Sequence, residues 1–319
     1  VQERHDDLDP RFKTPFVGNK KELSQINDLF HKTAQKIGIQ EVSPFTTIGI
    51  EGNAGQGKSR LVSEFLHVSK HFYIHGATSN IHSRSYHIFV TLIKTCVKIT
   101  ELDSLDIIKK KLDAFYVDVE SYLTEKECKK FVESKALIGF LIGIKSDDER
   151  LKTKGRELQT HIQIAIRRFI YALTLKTNLS GIPLVIILED LHWIDDPSKD
   201  ALINLFEFLG MSRENEDSPE YLFILNYRPE FEMPVEINRN CNFEKITLQP
   251  LRENECLEII NYFTDENELS EALNKVLIQG SEGNPFYVEE WMQLIVSKYK
   301  HGEDISSEMD LKDIPDTLG

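Results

Sequence analysis

The chain has 319 residues, enough for one large domain or two modest ones, and with 40% hydrophobic and 28% charged residues it has an ordinary globular composition with ample core material. A net charge of −14 argues against a nucleic-acid partner, which needs a basic face to neutralise phosphates. No apolar run approaches the ~18 residues that span a bilayer, so a membrane partner is not expected either.

Residues 1–15 read as a polar arm or linker. "FVGNKKELSQINDLF" follows, where Gly18 marks a turn and Asn19 with Glu22 three places on has the spacing of a capping box that opens a helix. "FTTIGIEG" reads as a buried strand, "SRLVSEFLHVSK" as a helix, "HFYIHGATS" as a second strand and "YHIFVTLIKTCVKI" as an apolar helix. Residues 101–182 are charged, with apolar residues at helical spacing, and read as a helical insertion lying against one face of a sheet. "PLVIILEDL" is a strand. A helix then starts with Pro197 at its first position and is expected to stop at Gly210; "YLFILNYRP" and "FEKITLQPL" are further strands. From residue 252 the chain turns all-helical, with Asn284 and Pro285 expected to start a helix and Gly280 and Gly283 to end the one before it. Strands alternating with helices predict an α/β fold around a parallel sheet covered on both faces. The expected domains are a core over 16–250 and a helical subdomain over 251–319. The four cysteines (96, 128, 241, 256) have no metal-ligand or redox spacing, and no signal peptide opens the chain, which together suggest a reducing, cytoplasmic setting.

"GNAGQGKS", residues 52–59, matches G-x-x-x-x-G-K-[ST] with a strand before it and a helix after it. Gly52, Gly55 and Gly57 let the backbone curl through Asn53, Ala54 and Gln56, so that successive amides face an anion. The following helix presents its positive N-terminal dipole to the same charge. Lys58 is expected to reach the β- and γ-phosphates of a nucleotide, and Ser59 to ligate Mg²⁺. Arg60 and Arg84 are additional candidates for a phosphate contact or an arginine finger.

The apolar run "PLVIIL" ends in Glu189-Asp190. Ligands of parallel sheets gather at the carboxyl ends of strands, which would bring these acids to the phosphate end of the fold. Neighbouring strand residues point to opposite faces, so the two are expected to divide the work: Glu189 toward the metal and Asp190 toward the attacking water. An Asp base is one methylene shorter than a Glu, which favours slow hydrolysis. Asp195 or Asp196 is expected to cap the helix at Pro197, with Asp196 favoured, and Trp193 to pack in a core or at a domain contact.

Taken together, these pieces resemble the STAND-type signalling subgroup of AAA+ P-loop ATPases, and within it the "predictive" ATPase module found beside class III adenylyl cyclases, Ser/Thr kinases and LuxR-type regulators. "FVGNKKEL" looks like the subgroup's Phe-Val-Gly-Arg-x-x-Glu-Leu box, which would put Phe16 and Val17 near an adenine, although Asn19 stands where the Arg is usual. "LEDLHWID" is similar to its Walker B box with a trailing His-Trp-x-Asp. "ILNYRPEF" resembles the strand that carries a sensor arginine, here Arg228. "GNPFYVEEWMQLI" resembles the Gly-x-Pro box, whose proline, here Pro285, approaches the nucleotide from a helical lid. The resemblance implies a three-layer αβα P-loop NTPase core with that lid, ATP/ADP and Mg²⁺ as cofactors, and catalytic roles for Lys58, Glu189, Asp190 and Arg228. It also implies a possible nucleotide-dependent oligomer and an attached cyclase, kinase or regulator effector domain. "IPDTLG" at residues 314–319 is similar to the point where such proteins continue into further domains. The leading functional reading is a slow, nucleotide-gated switch. A ring-forming remodeller or loader is the alternative, and a small-molecule kinase or a non-hydrolysing binding module are weaker ones.

Overall fold

Buried strands alternate with amphipathic helices through the computed structural model, which describes residues 14–39, 44–68, 71–78, 85–212, 219–264 and 269–300. The strands are β1 (Thr46–Glu51), β2 (Phe72–Ala77), β3 (Leu184–Glu189), β4 (Tyr221–Tyr227) and β5 (Asn242–Thr247), in the sheet order β2-β3-β4-β1-β5. β3 lies parallel to both β2 and β4, and its last residue, Glu189, is in register with Ala77. Every residue of β3 and β4 is buried. That is why "LVIILE" and "YLFILNY" are near-continuous apolar runs: a parallel strand covered on both faces has no solvent side to alternate with.

The helices are α1 (Lys20–Gln35), α2 (Lys58–Val68), α3 (His87–Val97), α4 (Leu105–Glu120), α5 (Glu125–Leu141), α6 (Arg156–Asn178), α7 (Asp196–Ser212), α8 (Val235–Asn240), α9 (Glu253–Thr264), α10 (Glu271–Ser281) and α11 (Pro285–Lys300). Each strand and helix read from the sequence is present, and α8, too short to show a period, is an addition. The fold is α/β with a helical C-terminal region.

The chain divides into two compact units. Asn27–Gly49 and Lys70–Lys245 belong to the first; the segment ending at Ile26, Ile50–Ser69 and the residues from Ile246 onward belong to the second. The core of the first unit runs from strand residues such as Ile186, Leu188 and Phe223 through α3 and α7 into the helical insertion. There Tyr116 stacks on Phe131 with centroids 4.2 Å apart, and its hydroxyl meets the Ser134 hydroxyl at 2.9 Å. Side-chain caps start two of the insertion helices: Ser104 accepts from the Ile107 amide, and Thr124 forms a full capping box with Glu127. The second unit has its own core of Val17, Leu251, Cys256, Ile259, Leu277, Val288 and Met292, among others.

Two glycines differ from expectation. Gly210 does not end α7 but lies inside it, where an added Cβ would stand 2.7 Å from Asn240 Oδ1 on α8. Gly280 likewise lies inside α10, under the ring of Trp291. Both are places of close approach rather than stops. No disulfide joins cysteines among the described residues. Most of the N-terminal arm, Arg84 and "IPDTLG" lie outside the described residues. Among the described residues no helix is long and apolar enough to cross a membrane.

Candidate functional site

The phosphate loop belongs to the second unit. It leaves β1 and enters α2, which begins at Lys58. Gly55 (φ 77°) and Gly57 (φ 87°) take the left-handed conformation that glycine adopts without penalty, and this curls the loop. The Asn53 amide donates to Gln56 Oε1 at 2.5 Å, closing the loop on itself. Lys58 is only 9% exposed, and its ammonium donates to the Gly52 and Asn53 carbonyls at 2.7 and 2.9 Å, so it is held at the mouth of the loop. The first turn of α2 carries no acid to oppose an anion at the helix N-terminus. Beside Gly57 an added Cβ would find its nearest neighbours, Arg60 Cβ and Pro285 Cγ, only at 4.0 Å. Curled glycines, a buried ammonium and an unopposed helix start fit a polyphosphate.

The same unit brings the start of α11 to the loop. Asn284 Nδ2 donates to the Ala54 carbonyl at 2.9 Å, while Asn284 Oδ1 accepts from the Phe286 amide at 3.1 Å, as a helix cap. A Cβ on Gly55 would stand 2.6 Å from Asn284 Oδ1 and 2.9 Å from Phe286 Cβ, so this contact depends on glycine for its closeness as well as for its φ. Arg60, a candidate for phosphate, donates to the Thr14 carbonyl at 2.9 Å and lies 3.6 Å from Glu64; the Thr14 hydroxyl in turn donates to Glu289 on α11. Val17 sits in the core of this unit and Phe16 is half-buried.

The acidic turn belongs to the first unit. Glu189 is 7% exposed, and both carboxylate oxygens are engaged: Oε2 with His75 Nε2 at 2.9 Å, and Oε1 with Asn226 Nδ2 at 3.0 Å. The other end of that amide, Asn226 Oδ1, is buried without a hydrogen-bond partner among the described residues. An unmet buried acceptor of this kind costs about 1–3 kcal/mol. A water, free or on a hydrated cation, would satisfy it, and with the Glu189 carboxylate it makes an all-oxygen donor set suited to hydrated Mg²⁺. Among the described residues no group of three or more His, Cys, Asp or Glu side chains is arranged to hold a metal. A bound Mg²⁺ would therefore take much of its coordination from nucleotide phosphates and water.

Asp190 departs from the strand geometry on which the division of labour was argued. β3 ends at Glu189, and Asp190 has φ 58° and ψ 39°, so alternation between sheet faces does not reach it. A left-handed non-glycine residue costs roughly 1–2 kcal/mol. It is held there through its carbonyl, which accepts from the Trp193 amide at 2.9 Å and from the Thr78 hydroxyl. Arg228, just past β4, sets its guanidinium carbon 5.8 Å from the centroid of the Trp193 ring, a cation–π contact. Asp195, rather than Asp196, caps α7: Oδ1 accepts from the Ser198 amide at 2.9 Å and Oδ2 from the Ser198 hydroxyl at 2.6 Å. The same carboxylate also accepts from the amides of Tyr86 and His87 at the start of α3, at 2.9 and 3.1 Å.

The candidate residues thus fall into two sets. Glu189, Asp190 and Arg228 share the first unit; Phe16, Val17, Gly52 to Arg60 and Pro285 share the second. Sequence reading missed His75, Thr78 and Asn226, which surround the acids. A polar residue inside or just after an otherwise apolar buried strand, as in "HFYIHGAT" and "FILNY", was the available signal.

Solved structures similar to this chain include an ATPase and an ORC2 protein that share its fold. A Walker-type ATPase of Pyrococcus abyssi is 12% identical, with 93% of this chain and 72% of that one covered at a TM-score of 0.51. The ORC2 protein of Aeropyrum pernix, solved as ADPNP and ADP complexes, is 12% identical, with 95% and 68% covered at a TM-score of 0.51. A STAND protein with a tetratricopeptide repeat sensor from Pyrococcus horikoshii is 15% identical at a TM-score of 0.42, and this chain spans 32% of its length. No curated protein sequence matches the chain. Residues 15–215 match the AAA ATPase domain family, which takes in the phosphate loop and the acidic turn alike, and the chain belongs to that family.

Proposed function

We propose that this domain binds Mg-ATP, hydrolyses it slowly, and uses the state of the nucleotide to set the position of its C-terminal helices, relaying that state to an effector in a larger regulatory protein. The observation that carries this reading is the contact between the phosphate loop and the start of α11, from Asn284 to the Ala54 carbonyl beside Gly55. A γ-phosphate in the loop would change the environment of Asn284 and Pro285 directly, as γ-phosphate switches require.

In this reading Lys58 and the loop amides bind the β- and γ-phosphates. Ser59 and Glu189 are the residues that would hold a hydrated Mg²⁺, which would supply charge neutralisation to those phosphates. Asp190 accepts a proton from the attacking water, and Arg228 senses the γ-phosphate. Glu189 already spends both oxygens on His75 and Asn226, which supports slow turnover. Adenine as the base, the STAND-type subgroup, the helical lid over 251–319 and the effector rest on the resemblance of the Phe-Val-Gly, His-Trp-x-Asp and Gly-x-Pro boxes.

Phosphate release from Mg-ATP, measured over a range of protein concentrations for wild type and Lys58→Ala, tests the proposal. The expected result is slow release independent of concentration, and loss of nucleotide binding by about two orders of magnitude or more in the variant. A rate that rises steeply with concentration would replace the switch with a ring-forming remodeller. A Lys58→Ala protein that binds and turns over like wild type would remove the phosphate-loop assignment altogether.

A further inference from the structure

The His-Trp-x-Asp stretch after the acidic pair and the polar end of β2 are joined by a closed circuit of hydrogen bonds, all within the first unit. The Asp190 carbonyl accepts from the Trp193 amide. Two residues on, Asp195 accepts from the Tyr86 and His87 amides at the start of α3. One turn into α3, Thr91 Oγ1 donates to the Ala77 carbonyl and accepts from the Ala77 amide, both at 3.1 Å. The next residue is Thr78, whose amide donates to the Glu189 carbonyl at 3.2 Å and whose hydroxyl returns to the Asp190 carbonyl.

We infer that Thr78 is a positioning residue for the acidic turn: its hydroxyl, fixed through Ala77 and Thr91, holds the Asp190 carbonyl and so keeps Asp190 in the left-handed conformation that aims its carboxylate. The argument runs through the backbone. A non-glycine residue stays left-handed only where its surroundings over-determine it. Here the Trp193 amide and the Thr78 hydroxyl fix the Asp190–Leu191 peptide plane from two sides. Thr78 is 6% exposed, so no water replaces the hydroxyl if it is removed. Its amide and hydroxyl together grip the two successive carbonyls of Glu189 and Asp190, which ties the end of β2 to both acids. Released from the hydroxyl, the plane can rotate and carry the Asp190 side chain away from its working direction. Displacements on the order of 1 Å at a reacting group cost up to about a hundredfold in rate.

This inference rests on the role proposed above for Asp190, and the test separates the two. Turnover number, KM for Mg-ATP and thermal unfolding are measured for wild type, Thr78→Val, Thr78→Ser and Asp190→Asn on the full chain. Valine keeps the shape of threonine and removes the donor; serine keeps the donor. The expected result is a kcat lowered about tenfold or more in Thr78→Val with KM within about twofold, and recovery to within about threefold of wild type in Thr78→Ser. A Thr78→Val protein with wild-type kcat, beside an impaired Asp190→Asn, overturns the inference and leaves the role of Asp190 standing. Equal losses in Thr78→Val and Thr78→Ser would also overturn it, because serine keeps the donor and its loss could not then be put down to the hydroxyl hydrogen bond. An Asp190→Asn protein as fast as wild type removes the role of Asp190, and the inference falls with it.

Discussion

Asp195 accepts four hydrogen bonds at the starts of two helices, from the amides of Tyr86, His87 and Ser198 and from the Ser198 hydroxyl. Amides at a helix start have no partner within their own helix, and each cap replaced by alanine costs ~0.5–2 kcal/mol. Asp195→Ala removes both at once and is expected to destabilise the folded protein by about 2–4 kcal/mol in denaturant unfolding. Asp195→Asn keeps one oxygen acceptor and should fall between alanine and wild type. An alanine variant within 0.5 kcal/mol or so of wild type would show that the caps are not energetically engaged. The sequence alone offers both Asp195 and Asp196 as the cap, since position relative to Pro197 is the only guide available. The amides of α3 that favour Asp195 lie about a hundred residues upstream. The same limit hid His75 and Asn226: sequence order places them 114 and 37 residues from Glu189, and only pairing among β2, β3 and β4 brings them to one carboxylate.

Among the elements, strands β3 and β4 and helices α2, α3 and α11 were legible because each carries its signal locally: an unbroken apolar run, a 3.6-residue period, or an Asn-Pro start. Gly210 and Gly280 were misread for the opposite reason, since a glycine that ends a helix and one that admits a neighbour look alike in sequence. A comparison of alanine substitutions tells the two close approaches apart. In a helix interior alanine is favoured over glycine by ~1 kcal/mol. At Gly280 the new Cβ would stand 2.6 Å from Trp291 Cη2, and the indole cannot yield without repacking. Gly280→Ala is therefore expected to cost about 1–3 kcal/mol despite the propensity gain. At Gly210 the obstacle is the Asn240 side-chain amide, which can rotate at the loss of its bond to the Glu236 carbonyl, so Gly210→Ala should be nearer neutral. Urea unfolding of both variants checks the order; a Gly280→Ala protein more stable than wild type would mean that Trp291 is free to move off α10.

At the scale of the whole molecule, the two tryptophans of the chain fall one in each unit. Trp193 lies between the acidic turn and the Arg228 guanidinium, and Trp291 rides on α11 with its ring over Gly280. Incorporating 5-fluorotryptophan gives two ¹⁹F resonances, assignable by Trp193→Phe and Trp291→Phe, and so a separate reporter for each unit. A switch of the proposed kind requires ATP and ADP to differ in their affinity for two arrangements, by about 5.5 kcal/mol for near-complete conversion and less for a partial one. The Trp291 resonance is thus expected to take different positions or populations with a non-hydrolysable ATP analogue and with ADP. Asn284→Ala, which removes the bond to the Ala54 carbonyl while sparing the loop residues, should shrink that difference and leave analogue binding within several-fold of wild type. The Trp193 resonance separates sensing from relay. If it distinguishes the two nucleotides while Trp291 does not, the acidic turn registers the γ-phosphate without passing it to α11, and the lid reading fails. If neither resonance distinguishes them, nucleotide state is not a signal in this domain, and steady turnover becomes the function to pursue.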